Sequence, residues 1–217
     1  MSTFQKIGGV AAFIMATGYI LGIAVFIVFL DASGYEGSVG HVDFLVDTKL
    51  TQFLAMLASY IVTGIALLVL TLSLHERLRS SAPILMQIAT VIGLIWSAIV
   101  IASALIFISG MDVVTNMYGT EPERAATVWI AISTVHDALG GGSELLGGLW
   151  MLLVSWAALR AGWLAKPLNY FGIIIALAGI LSIIPLLEIF TAVFGLSQII
   201  WFFLIGCKMF FGETSRI

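Results

Sequence analysis

Apolar residues come in six long runs, at approximately 8–30, 50–74, 84–110, 139–159, 168–187 and 189–211, separated by short polar stretches. Each run reaches the ~20 residues that a helix needs to cross ~30 Å of hydrocarbon. The pattern predicts an all-α polytopic membrane protein of six transmembrane helices, with residues 1–217 forming a single transmembrane domain. The run beginning near Ile7 is followed by no small-residue cleavage site, so it reads as a retained helix.

Loop charges orient the chain. Lys6, Arg77, Arg79, Arg160, Lys166, Lys208 and Arg216 fall on the side of both termini, and only Lys49 and Arg124 on the other. The positive-inside bias places both termini in the cytoplasm. Pro83 and Pro167 follow the two basic turns, where proline suits the first turn of a helix. Those short turns make spans two and three, and spans four and five, antiparallel neighbours.

The outer side is more polar. Residues 31–49 carry glycine, serine and four acids, and read as an extended loop packing over the bundle. From Pro122, the helical spacing of Ala125, Val128, Trp129, Ile132 and Val135 predicts an extra outer helix, interfacial or projecting, before the fourth span. That helix continues or bends into the span at Gly140-Gly141-Gly142, because successive glycines weaken a helix.

The sharpest local signal lies in GGGSELLGGLW. On a continuous helix Asp137, Gly141, Glu144 and Gly148 form one seam at 4-3-4 spacing, and His136, Gly140, Ser143 and Gly147 form the seam beside it. Small residues let another backbone approach, so this face turns inward. Glu144 stands about 10 Å of helix rise beyond Asp137, in the outer third of the span. An ionisable group inside a span costs at least ~2.5 kcal/mol at mid-membrane depth and is a functional candidate by default. Glu144 is therefore read as the centre of an outward-facing polar cavity. Glu188, His136 and Asp137 are its candidate partners, with Asp112 at a similar level and His41, Asp43 and Asp47 able to fold over them. Gln198 and Asn116 would be neutral partners.

Carboxylates with an imidazole suit a divalent cation, so His136, Asp137 and Glu144 are also a candidate metal set. The same groups could serve as acid and base on a lipid-like substrate. Three readings follow. One is a membrane protein binding a cation or amphiphilic small molecule around Glu144. Another is a membrane-embedded hydrolase or transferase, with or without a metal-activated water. The third is an accessory subunit that meets another membrane protein, or a second copy, through its polar seam. Around each of these the partners expected first are membrane lipids.

Other features read as architecture. Gly18 and Gly22 make a GxxxG motif, and Gly172, Ala176 and Gly179 a small-residue stripe, both suited to close helix packing. Trp150, Trp156, Trp163 and Trp201 divide between interfacial anchoring and core packing, and Trp96-Ser97 lies mid-span in the third helix.

Composition adds exclusions. The chain is 61% hydrophobic and 10% charged, too apolar for an ordinary soluble domain. Its net charge of −3 offers no basic footprint for nucleic acid. The lone Cys207 excludes an internal disulfide.

The segments FGIIIALAGILSIIP (171–185) and FGLSQIIWFFLIG (194–206), with the long outer region before span four, resemble an uncharacterised bacterial six-helix integral membrane family, a domain of unknown function. Gln198 and Trp201 match its last-span pattern. The resemblance implies a bacterial inner-membrane protein and supplies no activity.

Overall fold

The computed structural model describes residues 3–140 and 143–212, and among these every regular element is a helix. They are α1 (Thr3–Ile23), α2 (Gly37–Met56), α3 (Thr63–Leu78), α4 (Pro83–Tyr118), α5 (Pro122–Gly140), α6 (Glu144–Arg160), α7 (Lys166–Leu181) and α8 (Ile189–Phe211). Two six-residue π-helical stretches interrupt the α pattern: Ala24–Phe29 extends α1, and Leu57–Val62 joins α2 to α3. Proline opens α4 and α7, as the sequence predicts.

Six helices pack in a closed ring: α8 on α1, α1 on α3, α3 on α4, α4 on α6, α6 on α7 and α7 back on α8. The start of α1 lies beside the end of α8, since a Cβ on Gly9 would stand 3.0 Å from Phe210. Both described ends of the chain, and the basic turns after Leu78 and Arg160, therefore share one end of the bundle. Inside the ring Trp96, Trp150, Trp201 and Phe202 form one fully buried aromatic column, with neighbouring centroids 5.5–5.9 Å apart.

The outside is apolar. Ile14 and Leu21 on α1, Ile65 and Leu72 on α3, and Ile174 and Leu177 on α7 all face outward. Contiguous exposed apolar faces of this extent belong in hydrocarbon rather than water. Among the described residues five stretches are long and apolar enough to cross a membrane: Thr3–Phe26, Gly37–Leu78, Pro83–Tyr118, Pro122–Arg160 (α5 and α6 taken together) and Ile189–Phe211. The run at 168–187 differs from expectation. Its helix, Lys166–Leu181, has 16 residues, about 24 Å of rise, and the chain then loosens into a 3-10 turn at Pro185–Leu187.

Residues 31–49 also differ from the expected extended loop, because α2 already starts at Gly37. Gly37–Leu78 and Pro83–Tyr118 are 42 and 36 residues long, roughly 63 and 54 Å, far beyond ~30 Å of hydrocarbon. Their surplus lengths project together with α5. Val42 and Leu45 of α2, Met111 and Val114 of α4, and Ala125 and Trp129 of α5 close a small core of their own there. The extra helix expected from Pro122 onward, α5, is thus the third member of a projecting bundle. Lys49 ties α2 to α4 through Asp112 at 2.8 Å. In the preceding loop Tyr35 donates to Asp47 at 2.7 Å, and the carboxylate holds the phenol above its ordinary pKa.

Candidate functional site

A cavity of about 370 Å³ lies inside the ring, in the half of the bundle away from the chain ends. Small-molecule pockets span ~300–1,000 Å³, so this one is of ligand size. Helix irregularities converge on it. The π-helical stretch Leu57–Val62 contributes Ser59 and Tyr60, the stretch Ala24–Phe29 contributes Phe26, and the α5–α6 junction contributes Gly140, Ser143 and Glu144. Non-helical backbone at membrane depth is tolerated where it lines a cavity, and π-helical turns occur frequently at functional sites. Gly141 and Gly142, where a bend is expected, lie outside the described residues.

Glu144 opens α6 and borders the cavity, half-buried. Among the described residues no ion pair reaches it, and no Lys, Arg or His lines the cavity. From α8 comes Gln198, which is 1% exposed and whose Oε1 has no hydrogen-bond partner among the described residues. Its amide faces the Tyr19 hydroxyl of α1. Trp96, also 1% exposed, adds an indole whose Nε1 is likewise unpartnered. Tyr19, Tyr60 and Phe194 supply further aromatic wall. The cavity is a mostly apolar chamber with one carboxylate and one amide as its strongest acceptors.

The other predicted site residues lie elsewhere. His136 is buried between α5 and α4, 2.7 Å from Ser103 Oγ and 3.1 Å from Ser103 O through Nδ1. The Ser103 hydroxyl donates to the His136 carbonyl at 3.0 Å, so an Nδ1–H serving both Ser103 oxygens completes the pair. With its ring edge-on to Phe107 at 4.9 Å, His136 is a helix–helix tie. Asp137, next along the helix, is exposed. Glu188 is exposed at the start of α8 and does not reach the cavity lining. Asp112 and Asn116 belong to the α4 surface with Lys49, and His41, Asp43 and Asp47 to α2. Among the described residues no three His, Cys, Asp or Glu side chains come together as metal ligands. His136, Asp137 and Glu144 are therefore not assembled as a triad. Of the five candidates, Glu144 and Gln198 border the cavity.

The flanking glycines serve packing and cavity together. A Cβ on Gly147 would meet Trp96 and Phe194 at 2.8 Å, and one on Gly18 would overlap Thr63. Ser97 is not part of the lining and donates to the Gly64 carbonyl at 2.6 Å. Tyr19 and Tyr60 are the site residues that sequence reasoning missed. The available signal was a tyrosine within an apolar run and away from its ends, where an unpaired hydroxyl is costly.

Fold and site together define an all-helical bundle of membrane-spanning character around a ligand-sized chamber. No family model, curated protein or solved structure matches the chain.

Proposed function

We propose that this is an integral membrane protein whose outer cavity binds an amphiphilic small molecule, with Glu144 and Gln198 at the polar end. One observation carries the reading: among the described residues, a ligand-sized, largely apolar chamber inside the bundle holds a carboxylate without a counter-charge and a buried amide oxygen without a partner. A half-buried, unpaired carboxylate in such surroundings is costly, and a bound ligand would offset that cost. The topology that goes with it has six spans, the short α7 included, and both termini in the cytoplasm, supported by the loop charges.

Gly195 gives a direct test, because it borders the cavity and a Cβ there meets nothing within 4 Å. Gly195→Phe should plug the chamber without disturbing packing. In lipid nanodiscs, native mass spectrometry with decylamine and decanol, one cationic and one neutral, should give a saturable one-to-one adduct for at least one probe. The variant should bind at least about tenfold more weakly while its thermal unfolding is unchanged. Absence of any saturable adduct, or equal binding by the plugged variant, would remove the cavity as a ligand site.

Topology is tested separately by reporters. Green fluorescent protein fused at the C-terminus should fluoresce, and alkaline phosphatase there should be inactive. Phosphatase inserted after Gly119 should be active, and the reverse pattern would invert the orientation.

A further inference from the structure

We infer that the ligand's polar end is a protonated amine carrying N–H donors, attached to an apolar body; this rests on the cavity being a ligand site. The inference comes from counting what the cavity offers and what it lacks. The one charged group in its described lining is the Glu144 carboxylate, and Gln198 Oε1, on a side chain 1% exposed, is a second acceptor with no partner among the described residues; the Trp96 Nε1–H and the Ser59 hydroxyl, also unpartnered there, are neutral. An ionised carboxylate accepts only. A ligand matched to them must bring donors and positive charge.

Other head groups fit less well. An anionic head would meet Glu144 with no Lys, Arg or His among the described lining residues to offset the repulsion. A hydroxyl can donate to one acceptor and accept from a donor such as the Trp96 Nε1–H, but it brings no positive charge to the carboxylate. A calcium ion asks for six to eight oxygens, and no three carboxylate, imidazole or thiolate groups converge among the described residues. A quaternary ammonium carries the charge but has no N–H for Gln198. An ammonium brings positive charge to Glu144 together with three N–H donors. Tyr19, Tyr60 and Trp96 are in the lining, and an aromatic face turned to the ligand would add cation–π attraction of ~0.5–2 kcal/mol. Phe26, Phe194 and Met15 leave an apolar lining for the rest of the molecule.

The test compares four probes with the same chain, decylamine, decyltrimethylammonium, decanol and decanoate, on the full protein in nanodiscs, with empty nanodiscs correcting for partition into lipid. Decylamine should bind at least about tenfold more tightly than the other three, as loss of a charge-assisted hydrogen bond implies. Glu144→Gln should bring the decylamine-to-decanol affinity ratio to near one, and Gln198→Leu should shrink the gap between decylamine and decyltrimethylammonium. Because these are ratios within one preparation, partial loss of folded protein does not mimic them. Decanol or decanoate binding as tightly as decylamine, at a site sensitive to Gly195→Phe, would overturn the amine and leave the amphiphile cavity standing. Equal affinity for decyltrimethylammonium would overturn the requirement for N–H donors. No saturable binding by any probe would overturn both the amine and the cavity.

Discussion

Gly148→Leu should destabilise the protein by about 3 kcal/mol, at the upper end of ordinary overpacking. The reason is what the new side chain would strike. A Cβ at position 148 would lie 2.7 Å from the Ala176 carbonyl oxygen and 2.9 Å from the Ile180 nitrogen, both backbone atoms of α7. A crowded side chain can change rotamer, whereas a helix backbone can only move as a body. The contact is reciprocal, for a Cβ on Gly179 would meet the Glu144 carbonyl at 2.8 Å. Separating α6 from α7 would therefore disturb the turn that presents Glu144. At roughly 2–4 °C per kcal/mol for a chain of this size, the unfolding midpoint in detergent should fall by about 6–12 °C. Gly195→Leu, with open space around its Cβ, should leave the midpoint nearly unchanged. Equal midpoints for the two variants would mean that α6 and α7 are not in backbone contact.

That contact was legible in the sequence, since the seam through Glu144 and Gly148 and the stripe Gly172, Ala176 and Gly179 are the two surfaces that meet. Small residues at helical spacing within an apolar run have few uses besides close approach. Glu144 was legible for a related reason, because a carboxylate there demands an explanation from the fold. Gln198 was placed beside it, and the structure sets both on one cavity.

His136 and Asp137 show where such reading fails. Adjacent residues on a helix point about 100° apart, so they rarely serve one site. Here one is turned to Ser103 and the other to the exterior. Residues 37–49 were misread because the polar face of a projecting helix has the same acids and glycines as a loop. What makes them helical is packing of Val42 and Leu45 against α4 and α5, and tertiary burial outweighs propensity. Tyr19 and Tyr60 come from helices distant in sequence. Tyr60 also lies within the π-helical stretch Leu57–Val62, which no local spacing announces.

Trp150→Ala should be the most damaging single truncation, costing about 3–5 kcal/mol. Trp150 is fully buried at the centre of the aromatic column, 5.8 Å from the Trp96 ring and 5.9 Å from Trp201. Gly93 leaves room for its edge, since a Cβ there would stand 2.6 Å from Nε1. Lipid cannot enter a void enclosed by α3, α4, α6 and α8, so the lost dispersion contacts are not replaced. Because the indole Nε1 has no hydrogen-bond partner among the described residues, Trp150→Phe loses only packing and should cost less than half as much. The same truncation should reach the cavity, because Trp96 lines it and rests on Trp150. Trp150→Ala should therefore weaken decylamine binding as well as stability, while Trp150→Phe should largely preserve both. Thermal unfolding and native mass spectrometry on the two variants read the effects independently. Stability lost with binding intact would mean that the Trp96 wall stands without its support, and the column would then be a structural core separate from the chamber.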